Sequence, residues 1–246
     1  MKKILFLSCC LFVFLPAAFS QNVVLEQDVN KDTVQQTNGP NLKHFSQFYV
    51  GYGLVAGETD GSGADIKYGA SDQWMVGYRY KRKISNFYAL GYELNYNAYT
   101  FVLDDSKDKL FPTSVSYDKE KLVLHNLGLV LYNRFNFGRR GNHLGKYLDL
   151  GAYGDWSFDS KYIAKYELDS ANAFGAKKIK MISKDLQYLN KIHYGVLARF
   201  GINRFMVFGS YRLSDIFKDE YQQSNENILG YPELPRMVFG LQIGIN

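Results

Sequence analysis

The sequence predicts an all-β protein: an eight-stranded antiparallel up-and-down transmembrane β-barrel, with short periplasmic turns at one end and long extracellular loops at the other. Three observations carry that prediction. Segments of alternating apolar and polar residues recur along the chain, the period-2 mark of strands. Their connections alternate between long and short, as in barrels whose hairpins cross a membrane. Glycine concentrates on the polar face of those segments, where a face open to water would only be weakened by it.

The chain begins MKKILFLSCCLFVFLPAAFSQ: a basic start, an apolar run from Ile4 to Leu15, then small residues. This predicts a cleaved signal peptide over 1–20, with Ala18 and Ser20 meeting the small-x-small rule. The run is short for a spanning helix. Both cysteines, Cys9 and Cys10, lie inside it, so the exported chain has no disulfide framework and no thiol metal site. Acylation at either cysteine would leave a very short apolar region and strand apolar residues beyond it. Residues 21–44 are polar and without period, and predict a flexible periplasmic tail ahead of a barrel spanning 45–246.

The first strand runs Phe45 to Ala56, with Phe48, Val50, Tyr52 and Leu54 on one face and Tyr49, Gly51 and Gly53 on the other. In the second, Gln73 to Arg82, Trp74, Val76, Tyr78 and Tyr80 oppose Gly77, Arg79 and Lys81. The third, Asn86 to Phe101, sets Tyr88, Leu90, Tyr92, Leu94 and Tyr96 against Gly91, Glu93, Asn95 and Asn97. The fourth, Lys119 to Phe137, sets Leu127, Leu129, Leu131 and Phe135 against Asn126, Gly128, Tyr132 and Arg134. The fifth, Leu144 to Tyr162, sets Leu148, Leu150, Ala152, Trp156 and Phe158 against Asp149, Gly151, Tyr153, Asp155 and Ser157.

The sixth and seventh form a hairpin within GVLARFGINRFMVFGSYRL. A two-residue turn at Gly201–Ile202 would put Gly at the position of positive φ in a type II′ turn. That register pairs Ala198 with Phe205, Tyr194 with Gly209 and, on the polar face, Arg199 with Arg204. The eighth strand, Arg236 to Asn246, sets Met237, Phe239, Leu241 and Ile243 against Gly240, Gln242 and Gly244. The stretch from 164 to 187 reads as a long loop with a basic cluster at Lys177, Lys178 and Lys180. Solvation accounts for such a cluster, and so does contact with anionic lipid or a partner.

The glycines decide which face is enclosed. The inside of an eight-stranded barrel is crowded, so small residues are needed there to let large ones fit. The polar face therefore points inward and the aromatic-aliphatic face toward lipid. A soluble barrel of lipocalin type would invert this and carry Lys and Glu along its outer face. The enclosed polar residues form an expected interior network: Arg79, Glu93, Arg134, Asp149, Asp155, Arg199, Arg204 and Arg212. A buried charge without a partner is costly, so Asp149 should bridge at least one arginine.

Nothing in the pattern requires catalysis, and no catalytic residue is assigned. Asp155, Ser157 and His193 share the inner face near its outer end, a grouping that a polar interior produces on its own. No metal-ligand spacing and no phosphate-binding glycine loop occurs, so no metal or cofactor is expected. The formal net charge is +5, of which Lys2 and Lys3 in the signal segment carry two, too weak and scattered a balance for nucleic acid.

With YLDLGAYGDW and VFGLQIGIN as its most telling segments, the chain resembles the small outer-membrane β-barrels of OmpX-like and PorT-like type, over about Phe45 to Asn246. The resemblance implies a monomer in the cell outer membrane, surrounded by outer-membrane lipid and inserted by the outer-membrane assembly machinery. It departs from the family at its end, Ile245–Asn246, where a terminal aromatic is usual; Phe239 is the nearest. The function implied is non-enzymatic: binding, envelope integrity or assembly through the extracellular loops. Two alternatives stand beside it, a PorT-like component of an outer-membrane secretion system with secretion or envelope proteins as partners, and a barrel enzyme acting on lipid.

Overall fold

A computed structural model describes residues 36–59, 65–104, 111, 117–138, 141–168, 177–222 and 231–245. The expected signal peptide lies outside them, as does the tail up to residue 35. Among the described residues nine strands form: β1 (His44–Ala56), β2 (Asp72–Lys83), β3 (Tyr88–Leu103), β4 (Lys119–Phe137), β5 (Lys146–Glu167), β6 (Lys178–Lys184), β7 (Ile192–Ile202), β8 (Phe205–Arg212) and β9 (Met237–Ile245). Eight of them pair in the order β4-β3-β2-β1-β9-β8-β7-β5, and β4 also pairs with β5. These pairings are all antiparallel, and the hydrogen bonds close into a ring. Closure leaves no free edge within the ring itself.

The ring sorts its side chains opposite to a water-soluble core. Phe48, Leu131 and Leu241 are about 60% exposed, whereas Arg134 and Asp149 are 1% and 0% exposed. The outward face also carries paired rings: Trp74 against Tyr96 (5.2 Å between centroids) near the long connections, and Tyr88 against Phe135 (5.6 Å) near the short ones. Crowding explains the inward glycines. A Cβ on Gly91 would sit 2.2 Å from the Tyr132 ring, whose hydroxyl donates to the Tyr80 carbonyl over that glycine (3.0 Å).

Three readings of the sequence need correction. The stretch from 164 to 187 is not all loop. β5 continues to Glu167, and Lys178–Lys184 pairs with it as β6, outside the ring. Lys178 and Lys180 therefore lie in a strand, and Lys177 directly precedes it. The sequence hid this because the β-bulge at His125/Asn126 shifts the register: Asn126 faces Ser157, but His125 faces Asp159. Beyond Phe158 the outward parity of β5 passes from even to odd residues.

The hairpin turn is the second correction. Ile202 pairs with Phe205, so the turn is Asn203–Arg204, and Asn203 takes φ 55°. Asparagine tolerates the left-handed region, so no glycine is needed there. Gly201 instead lies inside β7, where a Cβ would meet the Tyr147 ring at 2.2 Å. The inward-to-inward parity survives, but each partner moves. Ala198 faces Gly209, and Arg199 faces Phe208. Gly209 is covered by Phe239 rather than Tyr194, with the ring 3.0 Å from the place of a Cβ.

Third, Arg204 does not join the interior: it sits in the turn, exposed. At the same end, residues ahead of β1 pack against the β4–β5 connection. The Asn41 amide N–H donates to Asn142 Oδ1 (3.2 Å), and Lys81 Nζ, from inside, donates to the Pro40 carbonyl (2.5 Å).

Candidate functional site: an enclosed charge cluster and a closed mouth

Register builds the lower cluster. Arg134 on β4 stands directly across from Asp149 on β5, and Asp149 across from Arg199 on β7. Arg79 on β2 stands across from Glu93 on β3. Arg134 holds Asp149 with both ends of its fork, Nε to Oδ1 (2.7 Å) and Nη2 to Oδ2 (2.8 Å), a bidentate charge-assisted pair. Arg199 Nε lies 3.5 Å from the same carboxylate, and its Nη1 pairs with Glu93 Oε1. Glu93 also accepts from Arg79 Nε (2.5 Å) and from the Tyr49 hydroxyl (2.9 Å). Tyrosine rings cover the guanidiniums: Tyr147 at 3.7 Å from Arg134 and Tyr49 at 4.4 Å from Arg79.

Three arginines and two carboxylates are thus joined with almost no exposure. Two donors are left over: Arg199 Nε, 3.5 Å from Asp149, and Nη2 have no hydrogen-bond partner among the described residues. Arg199 and Glu93 border a cavity of about 40 Å³, room for water but not for a solute. A smaller cavity, of about 10 Å³, lies higher, beside Asp155, His193 and Arg212.

Higher in the ring, Asp155 lies apart from this cluster. Ser157 Oγ donates to Asn126 Oδ1 (2.5 Å), Asn126 Nδ2 to Asn97 Oδ1 (2.8 Å), and Asn97 Nδ2 to Asp155 Oδ1 (3.1 Å). The Ser157 hydroxyl is therefore committed to an amide, not to His193. Among the described residues neither ring nitrogen of His193 bonds to Ser157; the backbone of Asp215 and Asn190 lies beside the ring. A nucleophile needs its base within hydrogen-bond reach, and this grouping does not supply one.

Arg212 belongs to the mouth. Its Nη1 donates to Glu233 Oε1 (2.5 Å) and to the Ser214 carbonyl (2.7 Å). Glu233 also accepts from the Ile216 N–H (3.0 Å) and from Gln222 Nε2 (3.1 Å). This ties the described parts of the β8–β9 connection, 213–222 and 231–236, to each other and to Arg212. Phe111 and Phe217, both fully buried, meet there as tilted rings at 4.7 Å, with Tyr231 at 5.0 and 5.5 Å from them. Burial, with Tyr231 beside it, pushes the Tyr188 phenol above the usual tyrosine range, so its proton stays on.

Of the eight residues expected in one network, five form the lower cluster: Arg79, Glu93, Arg134, Asp149 and Arg199. Asp155 and Arg212 sit in separate groups, and Arg204 is outside. Sequence reasoning missed Glu233, which lies in a connection without period, and Tyr49, Asn97 and Asn126 as bonded partners. Their inward parity was the available signal.

No protein-family model matches the chain, and no curated protein matches it. Among solved structures, it is similar to the crystal structure of Ail, the attachment invasion locus protein of Yersinia pestis, in complex with the heparin analogue sucrose octasulfate. Identity is 13%, the TM-score 0.33, and the match covers 81% of this chain and 97% of that one. At that level the fold of this chain is read from its own strand pairing.

Proposed function

We propose that the ring is a transmembrane β-barrel of a bacterial outer membrane, and that it acts without catalysis, through the segments at its long-connection end. One observation carries this: the ring exposes a continuous belt of large apolar side chains while enclosing paired charges. A soluble monomer rarely exposes an apolar patch larger than a few hundred Å², and lipid is the solvent in which such a belt is stable. On this reading the short turns are periplasmic, the long connections extracellular, and residues 1–20 a removed signal. Outer-membrane lipid is then the immediate partner, and the assembly machinery inserts the chain.

The small size of the interior cavities beside Arg199 and Asp155 supports a structural rather than a conducting ring. Ser157, bound to Asn126 rather than to a base, supports the non-enzymatic reading. The test is membrane fractionation with gel migration before and after boiling. A barrel resists carbonate extraction and migrates faster unheated. Full extraction, with one band under both conditions, would remove the reading.

A further inference from the structure

β4 and β5 run past the ring, and β6 extends them into a three-stranded sheet. Its two faces differ. One, with Leu122, Leu124, Tyr162 and Ala164, is buried against the aromatic mouth. The other continues the lipid-facing parity upward from Trp156, Phe158 and His125. Across its top, Lys119, Lys165 and Lys180 stand directly opposite one another on β4, β5 and β6. Nearer the belt, Lys161 faces Lys184, with Ile163 and Ile182 between the two rows. Lys121 and Lys178 complete the face.

Directly opposed like charges destabilise a sheet. Among the described residues two carboxylates answer these lysines: Asp159 pairs with Lys161, and Glu167 lies 3.5 Å from Lys178. Lys119, Lys121, Lys165, Lys180 and Lys184 have no carboxylate within salt-bridge reach among the described residues. The face alone therefore carries a charge excess as large as the +5 of the whole chain. The strands here hold ammonium groups in register at a cost in stability, which a bound multivalent anion would offset.

We propose that this face binds the phosphates of the glycolipid in the outer leaflet around the ring, a proposal that rests on the transmembrane reading. Position selects that source. Lys161 lies three residues beyond the aromatic Phe158, about 10 Å along the strand, and Lys165 about 23 Å, which spans headgroup and inner-sugar depth. The face also lies on the lipid side of the sheet, not over the mouth. Two apolar residues amid the lysines suit an interfacial surface.

The test uses the full chain refolded in zwitterionic micelles and titrated with purified lipopolysaccharide, with the unheated fast band scored in every sample. Binding should weaken with added salt. A K119Q/K165Q/K180Q variant should keep the fast band, lose at least about tenfold in affinity, and show a flatter salt dependence. Its urea midpoint should not fall, since the substitution relieves repulsion. Unchanged affinity in that variant overturns the proposal, as does equal binding of dephosphorylated lipopolysaccharide. So does tighter binding of a soluble sulfated oligosaccharide, which would put the occupant outside the leaflet. Absence of the fast band in the wild-type chain removes the membrane reading and this inference together. Unchanged affinity with the fast band present removes this inference alone.

Discussion

The enclosed cluster and the lysine sheet are made by the same device, charged residues placed opposite one another by strand register, yet they are patterned in opposite ways. Inside the ring the signs alternate across three strands: Arg134, Asp149, Arg199. On the protruding sheet they repeat: Lys119, Lys165, Lys180. The difference follows from the surroundings. Charges removed from solvent interact strongly and must be matched at once, whereas exposed ammonium groups are screened and can wait for a partner. Alternation marks a part that holds the molecule together, and repetition marks a part that meets something else.

The contrast breaks most visibly inside. Asp149→Ala leaves Arg134 without its bidentate partner and Arg199 with Glu93 alone. Stranding buried guanidiniums should cost about 3–5 kcal/mol, read as a lower urea midpoint of the refolded chain. Asp149→Asn, which keeps two polar atoms in place, should lose less. A wild-type midpoint for Asp149→Ala would mean that pairing does not hold the cluster.

Packing separates the two faces as sharply as charge. Gly91→Ala drives a methyl toward the Tyr132 ring and to 2.4 Å from the Tyr80 carbonyl, a backbone atom that cannot swing away. The expected cost is about 1–3 kcal/mol. Gly154, on the outward face of β5, has nothing within 4 Å of a Cβ. Gly154→Ala should leave the midpoint unchanged or raise it by about 0.4–1 kcal/mol through the unfolded state. Equal effects at the two sites would contradict the inward assignment of the crowded face.

The mouth is an intermediate case, buried but built from connections. Glu233→Gln removes the charge that holds Arg212 and weakens the acceptor for the Ile216 N–H. The consequence should be local. Limited proteolysis within 213–236 should speed several-fold, corresponding to about 1–2 kcal/mol of local opening, while the global midpoint moves little. Loss of the global midpoint together with the local protection would make the mouth part of the ring's own cooperative unit.

How far the sequence revealed this varies with the regularity of the backbone. In the ring strands, strict alternation fixed which residues face inward, and that was enough to bring Arg134, Asp149 and Arg199 together. Parity gave out where the backbone departs from alternation. The bulge at His125/Asn126 reassigns the outward residues from Asp159 onward, so Lys161 and Lys165 could not be placed on the outward side. KKIKMISK offers only Ile179, Met181 and Ile182 as apolar residues amid lysines, and its partner strand lay beyond the expected end of β5. Gly201 drew the turn two residues early because glycine usually signals φ > 0, whereas its task here is to leave space for Tyr147. Glu233 carried no pattern, since its partners come from loop geometry that a period cannot encode.

The smallest expected effect is the one that best distinguishes the two charge patterns. Lys180 faces Lys165 with no carboxylate within salt-bridge reach among the described residues. Lys180→Glu places a negative charge opposite Lys165, the residue in the middle of the row, so that one of its two like-charge contacts becomes an opposed pair like those inside. If the row is held against its own repulsion, the substitution should stabilise the chain without any anion, by about 0.2–1 kcal/mol, and the gain should shrink as salt is added. The matching change inside, Asp149→Lys, would turn alternation into repetition and should prevent refolding, because no solvent is present to screen it. Destabilisation by Lys180→Glu, or a gain insensitive to salt, would show that the lysines serve the sheet itself. Stabilisation accompanied by loss of polyanion binding would show that the protein keeps the less stable pattern for the sake of what it contacts.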